Sequence, residues 1–133
     1  MGRHLIVLDT HALLWWALDP GQLSPRAATT LRRMEEVGGF ASSISLWELG
    51  LKIKTKQLDI GMSIEEFARR IERSGTVEIV AVDTTLWLMS LALRWDHRDP
   101  ADRVIVATAL AKGIPLLTKD AAIGLFNGIE TVW

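Results

Sequence analysis

The stretch LIVLDTHALLWWAL, residues 5–18, decides the fold class. Its first part, Leu5 to Asp9, is a short apolar run that ends on an acid, the pattern of a strand covered on both faces. From Thr10 the chain stays apolar but reads as a helix, stopped at Asp19-Pro20-Gly21. The same alternation recurs downstream. Ser24 and Pro25 open a second helix as cap and first-turn proline, and Gly38-Gly39 closes it. FASSIS (40–45) predicts a second strand, followed by a helix over SLWELGLKIKTKQ (45–57). In SIEEFARRIERSG (63–75), Ile64, Phe67, Ala68 and Ile71 fall at i, i+3, i+4 and i+7, an amphipathic helix. VEIVAV (77–82) predicts a third strand. TTLWLMSLALRW (84–95) is apolar nearly all round and predicts a deeply buried helix. PADRVIVATALAKG (100–113) is a further helix closed by Gly113, IPLLT (114–118) a fourth strand, and IETVW (129–133) a short fifth. Strands alternating with helices imply a three-layer α/β/α sandwich with a mostly parallel central sheet.

Composition narrows the function classes. A chain of 133 residues with 49% hydrophobic and 23% charged residues is expected to fold as one domain, 1–133, with a full core. The absence of cysteine removes disulfides, thiolate metal sites and a cysteine nucleophile, and fits a reducing compartment. With 15 basic and 16 acidic residues the net charge is -1, so any nucleic-acid binding must come from a local basic patch. Asp9 and His11 interrupt the apolar opening and no small-residue cleavage site follows. Neither a signal peptide nor a membrane span is expected, and the expected location is cytoplasmic.

In a parallel sheet, sites form beyond the carboxyl ends of the strands. Asp9 ends the first strand, Glu48 is expected in the first turn after the second, and Asp120 follows the fourth. Asp102 is expected in the first turn of the helix after the 96–100 loop, and only tertiary structure can bring it to the others. Two readings compete at each acid. Ser45-Leu46-Trp47-Glu48 matches a capping box, and Asp99-Pro100-Ala101-Asp102 matches a cap acid, a first-turn proline and an acid favoured by the helix dipole. Asp9 and Asp120 could also cap the helices that follow them. The second reading is a cation site. Carboxylates about 5 Å apart repel by roughly 3 kcal/mol per pair at an effective dielectric near 20. Such a group must take up protons, pair with bases or bind a hard cation, for which Mg²⁺ or Mn²⁺ suits oxygen ligands. His4, His11 and His97 show no zinc spacing and read as surface or hydrogen-bonded side chains.

The motifs IVLDTHALLWW, SSISLWELGLKIKTKQL, HRDPADRVIVATAL and IPLLTKD occur in an order and spacing that resembles PIN-domain proteins, in particular VapC-like ribonuclease toxins of toxin–antitoxin pairs. The resemblance runs from about residue 5 to the C-terminus. It implies a Rossmann-like PIN domain, an acidic Mg²⁺ or Mn²⁺ site, RNA as substrate, a homodimer, and an antitoxin protein that blocks the site. The family's four acids fall on Asp9, Glu48, Asp102 and Asp120, with Asp99 as an accessory ligand or support. The reaction expected on this basis is metal-assisted phosphodiester hydrolysis. Asp9 and Asp102 would be the main metal ligands, and Glu48 and Asp120 would act through metal waters or a second ion.

Further residues carry two readings each. Thr10 and Thr118 flank the acids and could hydrogen-bond a phosphate or serve as turn residues. Lys52, Lys54 and Lys56 follow Glu48 and could meet RNA phosphates, or complement the end of their helix. Arg103 could neutralise a phosphate or pair with Asp99. Of six tryptophans, Trp15, Trp16, Trp87 and Trp95 are expected to be buried, while Trp47 is placed to line a cleft or partner groove. The apolar first and third helices could form a dimer or antitoxin surface. Rival functions are a non-catalytic PIN-fold binding module and a housekeeping PIN nuclease without an antitoxin. A receiver-like phosphoacceptor would need an acid pair near the end of strand one, where only Asp9 stands. A haloacid-type phosphatase would need D-x-D, where the sequence has Asp9-Thr10-His11.

Overall fold

The computed structural model describes residues 4–133. Among these, five short strands form the centre: β1 (Val7–Leu8), β2 (Gly39–Ser42), β3 (Val77–Val80), β4 (Leu116–Leu117) and β5 (Thr131–Val132). All pair in parallel, in the order β3-β2-β1-β4-β5. Val7 lies opposite both Phe40 and Leu116, so β1 is held from both sides.

Side chains alternate across such a strand, and the apolar runs therefore serve two cores. Ile6 and Leu8 join one with Ala41 and Leu117, whereas Val7 joins the other with Phe40 and Leu116. The first core is closed by α1 (Thr10–Leu18), α2 (Pro25–Val37) and α4 (Ile64–Ser74) through Leu13, Leu31, Met34, Phe67 and Ile71. The second is closed by α6 (Pro100–Lys112) and α7 (Ala121–Gly124) through Val104, Ile105, Val106, Ala109 and Ile123. The helix α3 (Ser43–Lys54) gives Leu49 to the first core and Ile44 to the second. This is the three-layer α/β/α sandwich expected from the sequence, with a wholly parallel sheet among the described residues.

Local signals set the element ends. The Ser24 and Ser63 side chains accept from Ala27 N (3.0 Å) and Glu66 N (3.1 Å), capping α2 and α4. Gly113 ends α6 at φ 66°, a left-handed conformation that a side chain resists. Gly39 starts β2 so close to α2 that a Cβ there would meet Met34 Sδ at 2.5 Å.

The expectation of a deeply buried helix at 84–95 does not hold. The helix α5 (Thr84–Ala92) buries only Leu86 and Ser90. Trp87, Leu88 and Leu91 are 43%, 60% and 76% exposed, so Trp87 is not a core tryptophan. The physical reason is position. α5 packs chiefly on α6 and lies outside the sheet layers, so one face is covered and the other is left open. Trp15, Trp16 and Trp95 are partly buried against the two cores.

The order of the strands fixes where a site can form. From β1 the chain crosses to β2 on one side, while β4 lies on the other. The carboxyl ends of β1 and β4 therefore flank the topological switch point, where a parallel sheet leaves a crevice.

Candidate functional site

Asp9 is the first residue beyond β1. Its N–H donates to Leu117 O (3.1 Å), which ties it to β4. Its Oδ1 accepts from Ala12 N (2.8 Å), so it does cap α1, and its Oδ2 accepts from the Thr118 hydroxyl. The side chain is buried, and burial pushes its carboxyl above the ordinary range against the pull of both hydrogen bonds. Nearby Asp120 adds to the rise. Asp120 N donates to Thr118 Oγ1 (3.0 Å), so backbone and hydroxyl link Asp120 to Asp9 in a short chain. The Asp120 carboxylate caps α7 through Ala122 N (2.8 Å) and Ile123 N (3.1 Å), both on Oδ1.

Asp102 stands in the first turn of α6, as expected, and Asp99 is that helix's cap, accepting from Asp102 N (2.9 Å). Asp102 Oδ2 meets His97 Nε2 at 2.7 Å. Burial raises the Asp102 carboxyl to about 6; the His97 hydrogen bond opposes this, and repulsion from Asp99 and Asp120 supports it. Glu48 stands in the second turn of α3, not the first. The cap of α3 is Ser42, accepting from Ile44 N (3.2 Å), so the capping-box reading of Ser45 and Glu48 fails. Ser45 is instead buried and meets Thr10 Oγ1 at 2.9 Å, while Thr10 donates to Glu48 Oε1 at 2.6 Å. Position decided this: the strand ends at Ser42, three residues earlier than the sequence suggested.

The rim therefore gathers Asp9 and Asp102 around Asp120, which is near enough to repel each of them, with Asp99 beside Asp102 and Glu48 fastened to α1 through Thr10. It does not form a closed cage. Among the described residues, no three acidic or histidine side chains stand together within reach of one ion. The supporting residues also differ from expectation. Thr10 and Thr118 are buried and hold carboxylates, so neither is presented to a phosphate. Arg103 neither faces a phosphate nor pairs with Asp99. Its guanidinium donates to the carbonyls of Ser90 (2.9 Å), Leu93 (3.0 Å), Trp95 (2.6 Å) and His97 (2.8 Å). Lys52 lines a groove of about 760 Å³ beside the rim with Trp47, Glu48, Leu51, Trp87 and Asp99. Lys54 lies on the exposed last turn of α3. The sequence had no signal for the His97–Asp102 contact or for buried Ser45, since both depend on how a loop and two helices meet.

The donor set fits a hard divalent cation. Among the described residues, none of the five acids is paired with lysine or arginine. Glu48 Oε2, Asp99 Oδ2, Asp102 Oδ1 and Asp120 Oδ2 accept no hydrogen bond there. Mg²⁺ needs only one or two direct carboxylates and reaches others through its waters, so an open rim suits it better than a closed cage.

A parallel α/β/α sandwich with carboxylates free of lysine and arginine partners at its switch point defines the class of protein. The PIN domain family model matches residues 6–126, and the chain belongs to that family. Among curated proteins it is similar to Ribonuclease VapC22 of Mycobacterium tuberculosis, 28% identical over 116 residues, 86% of each chain. Among solved structures it is similar to VapBC2 from Rickettsia felis bound to a promoter DNA fragment (TM-score 0.68, 15% identity, 96% of both chains). It is also similar to DNA-bound VapBC from Salmonella typhimurium (0.66, 17%, 97% of both) and to FitAcB from Neisseria gonorrhoeae (0.64, 22%, 96% of both). These structural likenesses bear on the fold.

Proposed function

We propose that this PIN-domain protein is a Mg²⁺- or Mn²⁺-dependent endoribonuclease, the toxin of a toxin–antitoxin pair. The observation that carries this reading is the gathering of Asp9, Asp102 and Asp120 at the switch point with no lysine or arginine partner among the described residues. Similarity to a VapC ribonuclease supports RNA as the substrate. Asp9 and Asp102 would hold the ion directly, and Glu48 and Asp120 through water or at a second ion, with Asp99 as support. When bound, the ion supplies charge neutralisation at the phosphoryl oxygens and a more acidic water.

The chain's own residues do the rest. Thr118 and Ala12 N fix the Asp9 carboxylate, so it is oriented before any ligand arrives. Thr10 holds one oxygen of Glu48 and leaves Oε2 to accept a proton from an attacking water. Lys52, in the groove beside Glu48, would meet an incoming phosphate, with Lys54 further out on the same helix.

An antitoxin partner is supported by the kind of complex in which similar folds occur. Exposed apolar side chains on α3 (Trp47, Leu51) and α5 (Leu88, Leu91) would suit a homodimer or that partner. Among the described residues no helix is long and apolar enough to cross a membrane. The test is RNA cleavage by purified protein with Mn²⁺. Asp9→Asn is isosteric, its amide oxygen keeping the bond from Ala12 N and its amide N–H donating to Thr118 Oγ1 in place of the bond it accepted. It is expected to retain its fold by circular dichroism and lose cleavage, and cleavage at the wild-type rate overturns the assignment.

A further inference from the structure

The loop that precedes α6 has neither helix nor strand over residues 95–99, yet its His97 is fixed at three points. Its carbonyl accepts from Arg103 Nη1 (2.8 Å). Its ring stacks on Trp95 with centroids 4.6 Å apart and planes at 30°, and Trp95 in turn packs on Phe126 at 5.3 Å. Its Nε2 meets Asp102 Oδ2 at 2.7 Å. Two adjacent residues of α6 thus grip the loop. Arg103 takes the carbonyls of Leu93, Trp95 and His97, and Asp102 takes the ring. A carboxylate that ligates a cation is ionised and only accepts, so in that state the contact requires Nε2 to be the donor.

We propose that His97 is a positioning residue for the rim: its Nε2–H locks the rotamer of Asp102 so that Oδ1 stays available to a divalent cation. This rests on the reading of Asp102 as a cation ligand and adds to it a residue that no acid motif identifies. Outer partners of metal ligands work in this way, holding the ligand's direction and tuning its charge, and their loss weakens metal binding by about 10–100-fold. The Arg103 clamp is the second half of the device, since it fixes the backbone from which the ring reaches. A purely structural role for His97 would rest on its stacking with Trp95, and a positioning role on its N–H.

Substitution separates the two. His97→Phe keeps an aromatic ring on Trp95 and removes the donor; His97→Gln places an amide N–H at similar reach and removes the ring. Mn²⁺ affinity, read by electron paramagnetic resonance of the free ion, is expected to fall at least about tenfold in His97→Phe and to return to within about threefold of wild type in His97→Gln. Melting temperatures of the metal-free proteins report the fold. If Phe unsettles the packing, the flexible pair His97→Met and His97→Gln gives the same contrast of donor against none. Wild-type affinity in His97→Phe, with affinity lost in Asp102→Asn, overturns the positioning role and leaves the cation site standing. An affinity that neither substitution moves overturns both.

Discussion

Two acids, Glu66 and Asp102, each begin a helix, and their surroundings differ in every respect that matters. Glu66, in the first turn of α4, is met by Arg69 (3.2 Å), Arg73 (3.1 Å) and Arg70 (3.6 Å). The Arg69 hydrogen bond, followed by that of Arg73, holds its carboxyl below the ordinary range. Asp102, in the first turn of α6, has an arginine as its next residue, and that arginine turns to backbone carbonyls instead. Its carboxyl is raised to about 6. Glu66, which serves only its helix, is surrounded by arginines. At the switch point the chain leaves several acids close without lysine or arginine, a cost in stability that proton uptake relieves and that a bound cation would offset.

The contrast can be broken most strongly at the rim. Asp9→Asn is expected to lower Mn²⁺-dependent RNA cleavage by more than about a hundredfold, beyond what loss of an outer partner brings. Glu66→Gln should leave the rate unchanged, and a comparable loss there would remove the distinction. The next effect is on stability. Arg103→Met leaves several carbonyls of the 90–97 segment without a donor and should cost about 2–4 kcal/mol by urea unfolding. A neutral result would mean that the loop needs no clamp.

Titration sharpens the comparison further. The folded Asp102 carboxyl, at about 6, lies above its ordinary 3.8, so the folded state binds the extra proton between these values. Its contribution to stability is then present at low pH and lost as pH rises from about 4 through about 6. Without metal, Asp102→Asn should match wild type near pH 4 and exceed it near pH 8, by roughly 1 kcal/mol after allowance for solvent screening. The gain in melting temperature from Mn²⁺ should grow over the same pH interval. Glu66 has the opposite sign: its lowered carboxyl contributes stability above its ordinary value that is lost as pH falls. The smallest effect is expected from Glu66→Gln, a slight drop in the urea midpoint near neutral pH that fades in high salt, because partly exposed pairs contribute little.

Much of this was legible in the sequence, because the signals were local. The LIVLD run, the Ser24-Pro25 cap, Gly113 and the Asp99-Pro100 entry to α6 each mark a strand or helix end through backbone chemistry. The acids Asp9, Asp99 and Asp120 were open to two readings, and the structure makes them caps while also bringing Asp9 and Asp120 to one rim. What the sequence hid depends on neighbours. An all-apolar α5 does not reveal which face another element covers, so Trp87 was expected inside and lies half outside. A serine at the start of a predicted helix looks like its cap, yet Ser45 is the third residue of α3 and touches Thr10. Arg103 beside two acids suggested an ion pair, but five donors in a fork also suit a crowded loop of carbonyls.

Isothermal titration of Mn²⁺ into metal-free protein near pH 7.5, with wild type, Asp9→Asn and Asp102→Asn side by side, bears most directly on the rim as a cation site. Saturable uptake by wild type that both substitutions abolish is the expected result. Uptake that is absent from wild type, or unchanged in both variants, would show that these carboxylates are helix caps and nothing more.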